Sequence, residues 1–201
     1  TIGLPPSLTA WTGVDALTHA IEAYIVPDFH PLCDGAAIEA LRLLGKYLVT
    51  SVEEPENLEA RGGMLVGSCL AGISFLKGLG FVHAISHMVG AEFDTQHGLT
   101  NAIVLPVVLR YNLPSLDKKR YHMADALGIS NKTSDGFIGE IEATLDLLEI
   151  PKSLAEIGVP FDCASRIAEK AMLDSAAFTN PVIGELSTLR ELVETSIKNA
   201  R

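Results

Sequence analysis

The sequence predicts an all-α protein. Apolar residues recur at a spacing near 3.6 through most of its 201 residues, and alternating runs of β-branched residues are nearly absent. Prolines also fall where the periodic stretches should begin or end.

Behind Pro5-Pro6 the first periodic stretch covers Thr12 to Val26, and Pro27 closes it. Pro31 opens the second, Leu32 to Val49, and Pro55 the third, Pro55 to Ile73. Within the third, Gly63, Gly67 and Ala71 recur every four residues, which predicts close approach by a neighbouring helix. Phe81 to Phe93 and His97 to Tyr111 follow. The latter carries Pro106 inside the apolar run Ala102 to Leu109, where a missing N–H and a ring clash predict a kink or a split. Pro114 to Leu127, Ser134 to Leu148, Asp162 to Leu173 and Gly184 to Ala200 complete nine helices, separated in part by Pro151, Pro160 and Pro181. No fixed-period repeat or Gly/Ser linker divides the chain, so one helical domain over residues 1–201 is expected.

Composition narrows the function. The chain is 48% hydrophobic, which excludes disorder. It carries 25 acidic against 15 basic residues, a net charge of -10, so nucleic acid is not an expected partner. The dense basic cluster is Lys118-Lys119-Arg120. Cys33, Cys69 and Cys163 form no CxxC and are odd in number, which argues against a disulfide framework or a thiolate zinc site and for a reduced, cytoplasmic setting. The opening Thr1 to Ser7 shows neither the basic nor the apolar region of a signal peptide and reads as cut from something longer. Gly62 to Ala91 has Lys77 as its one formal charge but holds seven glycines, and reads as buried helix with no membrane role. Gly78-Leu79-Gly80-Phe81-Val82-His83 lacks the third glycine and the preceding strand of a dinucleotide fingerprint. Phosphate-loop, nucleophile-elbow and HExxH motifs are missing too.

The chemistry gathers in histidines. His83, His87 and His97 lie within fifteen residues, and His83 and His87 are four apart, so on a helix they share a face. Asp15 and His19 repeat that spacing, with Glu22 near one turn further on. Each group has an ordinary reading. Thr12-x-x-Asp15 has the form of a capping box, His19 alone would be a hydrogen-bonded core histidine, His97-Gly98 would be a helix-start loop, and Glu22 a supporting or packing carboxylate. His30 and His122 lie in polar surroundings and read as surface residues. Buried polar groups need compensation, however, and a divalent cation compensates one carboxylate and several imidazoles at once. Such a set suits iron, zinc, copper or nickel and leaves a position open for substrate.

The segments Thr12 to Tyr24, Gly78 to Pro106 and Thr179-Asn180-Pro181 resemble the C-terminal helical domain of the iron-dependent, or group III, alcohol dehydrogenases, and the likeness extends over nearly the whole chain. The resemblance implies that Asp15, His19, His83 and His97 bind the metal, iron(II) with zinc or another divalent ion as substitutes, and that His87 handles substrate or proton. It implies NAD or NADP as the cofactor of the complete enzyme and a small alcohol or aldehyde as substrate. It also implies a nucleotide-binding α/β domain as partner, of which this sequence contains nothing. The face that would meet that domain is expected to favour self-association, hence a homo-oligomer. Pro181-Val182 departs from the family's usual Asn-Pro-Arg continuation. Rival readings are a helical metal-binding or interaction module without activity, and a domain of a related metal-dependent lyase or glycerol dehydrogenase-like enzyme.

Overall fold

The computed structural model describes all residues, Thr1–Arg201, as nine α-helices joined by short loops and 3₁₀ turns, with no strand. They are α1 (Pro6–Ile25), α2 (Pro31–Glu53), α3 (Leu58–Ser74), α4 (Phe81–Phe93), α5 (His97–Asn112), α6 (Asp117–Leu127), α7 (Ser134–Leu147), α8 (Ala164–Ala171) and α9 (Leu186–Lys198). The all-α expectation therefore holds element by element, and α4 has the bounds that periodicity gave it.

The architecture centres on α5. Thirteen of its 16 residues are buried, and it is apolar all round rather than on one stripe, the signature of a helix enclosed by others. α1, α4, α7 and α9 all pack on it, while α2 and α3 lean on α1, and α8 bridges α4 to α9. One contiguous core of 50 buried residues links these groups.

Several expectations are corrected by local physics. α1 starts at Pro6, nearly two turns before Thr12, because proline is at home in a first helical turn where its missing N–H has no partner to lose. Thr12 instead donates its hydroxyl to the Leu8 carbonyl at 2.7 Å, so the capping-box reading of Asp15 fails. α5 passes through Pro106 without splitting; the proline is buried, and surrounding packing holds the turn that lost its hydrogen bond. Gly62 to Ala91 divides into α3 and α4, bent by 102°, and no single helix is long and apolar enough to cross a membrane. Only α4 fits the buried reading, since α3 leaves Leu58, Leu65, Val66 and Ile73 exposed, with Leu76 beyond it.

The close-approach stripe packs as expected. A Cβ on Gly63 would enter the Tyr47 ring and one on Gly67 would stand 3.0 Å from Leu44, both on α2. The basic cluster is no electropositive patch. Lys119 donates to the Tyr24, Ile25 and Val26 carbonyls at the C-terminal end of α1, where a cation suits the helix dipole. Arg120 turns inward to the Leu113 and Lys132 carbonyls. All three cysteines are free.

Candidate metal centre

Three helices supply the polar groups. α1 presents Asp15 and His19, α4 presents His83 and His87, and α5 presents His97 in its first turn. The start of α5 can lie against α1 because residue 98 is glycine: a Cβ there would collide with the Trp11 carbonyl oxygen and stand 3.0 Å from the Asp15 Cβ. His97 is thereby carried to Asp15. At the helix start, the Gln96 side chain accepts from the Leu99 N–H at 2.6 Å and caps α5.

Asp15 is the hub. Its Oδ1 lies 3.8 Å from His19 Nε2, 3.7 Å from His83 Nε2 and 3.6 Å from His97 Nε2. One donor atom from each of the four residues falls within 4.8 Å of the other three. These gaps are too long for hydrogen bonds. They are close to the spacing of about 3.4 Å expected between ligands that sit about 2.1 Å from a tetrahedral ion. The rings support one another, His19 stacking on His83 with centroids 4.6 Å apart and His83 lying 5.3 Å from His97. Exposure grades the site: the His83 side chain is 1% exposed, Asp15 and His19 20% each, and His97 42%.

Glu22 forms the floor. Its Oε1 accepts from the Val82 N–H at 2.8 Å, satisfying one of the free amides that begin α4, and its Oε2 lies 2.7 Å from His83 Nδ1. With Nδ1 held by Glu22, the Nε2 atom of His83 is turned toward Asp15, His19 and His97. Glu22 thus positions a candidate ligand instead of joining the four.

Charge in the cluster follows from burial and these partners. Burial pushes the His19 imidazole down to about 4 against the pull of Asp15. It also holds His97 below its ordinary value against the same carboxylate. For His83 burial again opposes the charge, but Asp15 and Glu22 outweigh it and raise the group to about 9. Burial works to raise Asp15; interactions with His83, His19 and Asn101 together keep it below the usual carboxylate range. Near pH 7 His19 and His97 are neutral and can offer lone pairs beside an ionised carboxylate, while His83 keeps a second proton that it must release before its Nε2 can bind a cation.

The protein's own groups do not satisfy this cluster, and Asn101 shows it. Its Nδ2 lies 2.7 Å from Asp15 Oδ1, 3.1 Å from His83 Nε2 and 3.0 Å from His97 Nε2, so its two hydrogens face three polar atoms, one of them on a His83 ring that holds its own proton there near pH 7. Its Oδ1 is buried without any partner. Rotating the amide would set that carbonyl against the Asp15 carboxylate. One carboxylate oxygen and three imidazole nitrogens turned on one point fit a divalent cation, which attracts all four and frees the amide.

His87 stands outside the four-donor group. Its Nδ1 lies 3.0 Å from Asp174 Oδ2, its side chain is 40% exposed, and its ring stacks on His97 with centroids 5.5 Å apart. Sequence reasoning missed Asn101, although a polar side chain four residues after His97 in an apolar helix was a signal. It missed Asp174 entirely, because nothing local marks a partner 87 residues away. The Thr179-Asn180-Pro181 segment braces the helices that carry the site. Asn180 Oδ1 accepts from the Phe81 N–H at 3.1 Å and from Asn112 at 3.0 Å, tying the start of α4 to the end of α5. His30 and His122 are exposed, His30 accepting from the Cys33 N–H at the start of α2 and His122 meeting the Tyr24 hydroxyl at 2.7 Å.

Comparison with known proteins gives a consistent picture. The family model described as "Fe-containing alcohol dehydrogenase family, C-terminal" matches residues 9–197. The 1,3-propanediol dehydrogenase of Citrobacter freundii is 39% identical over 201 residues, covering 95% of this chain and 51% of that protein. The NAD-dependent methanol dehydrogenase of Bacillus methanolicus is 34% identical over 96% of this chain and 52% of its own length. A crystal structure of a 1,3-propanediol oxidoreductase superposes with a TM-score of 0.94 at 38% identity, covering 98% of this chain and 53% of that one. The chain spans about half the length of the relatives it matches.

Proposed function

We propose that this chain, which belongs to the Fe-containing alcohol dehydrogenase family, is the metal- and substrate-binding domain of an NAD(P)-dependent alcohol dehydrogenase that interconverts small alcohols and aldehydes. The observation that carries the reading is the convergence of Asp15, His19, His83 and His97 within 4.8 Å around an amide that cannot satisfy them.

Those four residues would hold iron(II), or zinc in its place. When bound, the cation supplies Lewis acidity toward an alcohol or aldehyde oxygen, and the nicotinamide supplies hydride acceptance or donation. The chain's own residues do the rest. Asp15 contributes the anionic oxygen, and Glu22 keeps His83 Nε2 turned inward. Phe75 lies beside His19, with ring centroids 5.1 Å apart. His87, at the open side, carries a proton at Nε2 between the substrate oxygen and solvent. Hydride transfer also needs the nicotinamide fixed within reacting distance, which falls to the nucleotide-binding domain.

The test is elemental analysis after mild iron(II) or zinc loading. About one metal per chain is expected from the ligand count, lost on replacing His83 or His97 by Ala. Full retention in the Asp15→Ala, His19→Ala double variant would overturn the assignment.

A further inference from the structure

Resting on that reading, we infer that Asp174 is a positioning residue for His87, fixing the tautomer and plane of the one imidazole at the site that is not needed as a ligand. Three features of the structure carry this.

The first is that the carboxylate is itself held in place. Asp174 lies in the turn after α8, its side chain 13% exposed, and its Oδ1 accepts from the Ala176 N–H at 2.8 Å. The other oxygen, Oδ2, is therefore directed by the turn rather than free to rotate, and it meets His87 Nδ1 at 3.0 Å.

The second is that the ring has a further restraint. Its plane lies 15° from that of His97, with centroids 5.5 Å apart, and it meets His83 edge-on at 5.8 Å. Stacking sets the tilt of the imidazole and the carboxylate sets its rotation. A carboxylate accepts and does not donate, so the proton sits on Nδ1 and the lone pair on Nε2. The free histidine ring has no such bias imposed on it.

The third is the tether between the two elements. Glu92, near the end of α4, is bound by Arg166 Nε at 2.9 Å and by Lys170 Nζ at 3.1 Å, both from α8. The helix bearing His87 and the helix leading to Asp174 are thus clamped side by side. A lone exposed histidine would need none of this; a histidine that must offer Nε2 in a set direction needs each part.

The test separates this role from the turn's stability by using Asp174→Ser. A serine hydroxyl can still cap the Ala176 N–H but is too short to reach the imidazole. In the zinc-loaded and the metal-free chain, ¹⁵N chemical shifts of the His87 ring should report protonation on Nδ1 for the parent sequence and a shift toward Nε2 protonation for Asp174→Ser. In the complete enzyme carrying this domain, kcat should fall about 10–100-fold with KM and metal content unchanged, and Asp174→Glu should restore part of it. An unaltered tautomer in Asp174→Ser, or a loss of metal with it, overturns the inference. Failure of the parent chain to bind zinc would sink the metal reading alone, because the ring shifts of the metal-free chain still decide the role of Asp174.

Discussion

Two carboxylate–imidazole pairs stand at opposite ends of the centre. At the floor, Glu22 meets His83 Nδ1 at 2.7 Å with both side chains 1% exposed; at the mouth, Asp174 meets His87 Nδ1 at 3.0 Å with the histidine 40% exposed. The pairing is chemically the same and the surroundings are not. Out of water, a carboxylate and imidazole can be separated only at the cost of an unpaired buried charge, so the floor pair is rigid and bound up with folding. At the mouth water can replace either partner, so the pair sets orientation with little hold on stability. Burial, rather than residue type, divides holding from moving.

Breaking the floor should have the largest effect. Glu22→Ala strips acceptors from the Val82 N–H and from His83 Nδ1, and the metal-free chain should lose about 3–5 kcal/mol of unfolding free energy in denaturant titration. Metal uptake should fall as well. A loss below about 1 kcal/mol would mean that water reaches the floor and the contrast is false.

Removing the mouth's imidazole should leave stability and metal untouched while turnover falls. For His87→Ala in the complete enzyme, the expected drop in kcat is about 10²–10⁴, the usual range for a general acid–base group. If the variant loses its metal and keeps its rate, His87 is a ligand.

The smallest effect should come from the clamp behind the mouth. Glu92 lies partly covered at the surface, and its bonds to Arg166 and Lys170 hold its carboxyl down at about 2. Because the folded value is below the unfolded one, the contribution is present above about pH 4.3 and is lost as pH falls toward 2. The stability–pH curves of the parent and Glu92→Gln should therefore differ in slope only in that acid window. A difference in slope near pH 7 would show that the clamp acts through something other than this carboxyl.

The sequence disclosed the helices and the two i, i+4 pairs because both are matters of local period. α4 was legible to the residue, since Gly78 and Gly80 precede it and its apolar rhythm stops at Asp94. The start of α1 was not, because Thr12 mimics a cap and Pro6 is a weaker mark. Pro106 misled for a related reason: its local cost is real, but α5 is enclosed by its neighbours and packing overrides it. At the site, Asn101 left a local mark, a polar residue four after His97 in an apolar helix, but its bond to Asp15 spans 86 residues, and Asp174 left none because its one link to the site lies 87 residues away.

That separation also sets a timetable for synthesis. Asn101 follows Asp15 by 86 residues, which at about 5–20 residues per second puts roughly 4–17 s between their appearances on a ribosome. During that interval α2, α3 and α4 are added behind α1, while the helix that brings His97 and Asn101 to Asp15 is still to come. That central helix emerges afterwards and cannot dock earlier. The four candidate ligands can therefore meet only after residues 97–112 have followed the rest of the site off the ribosome.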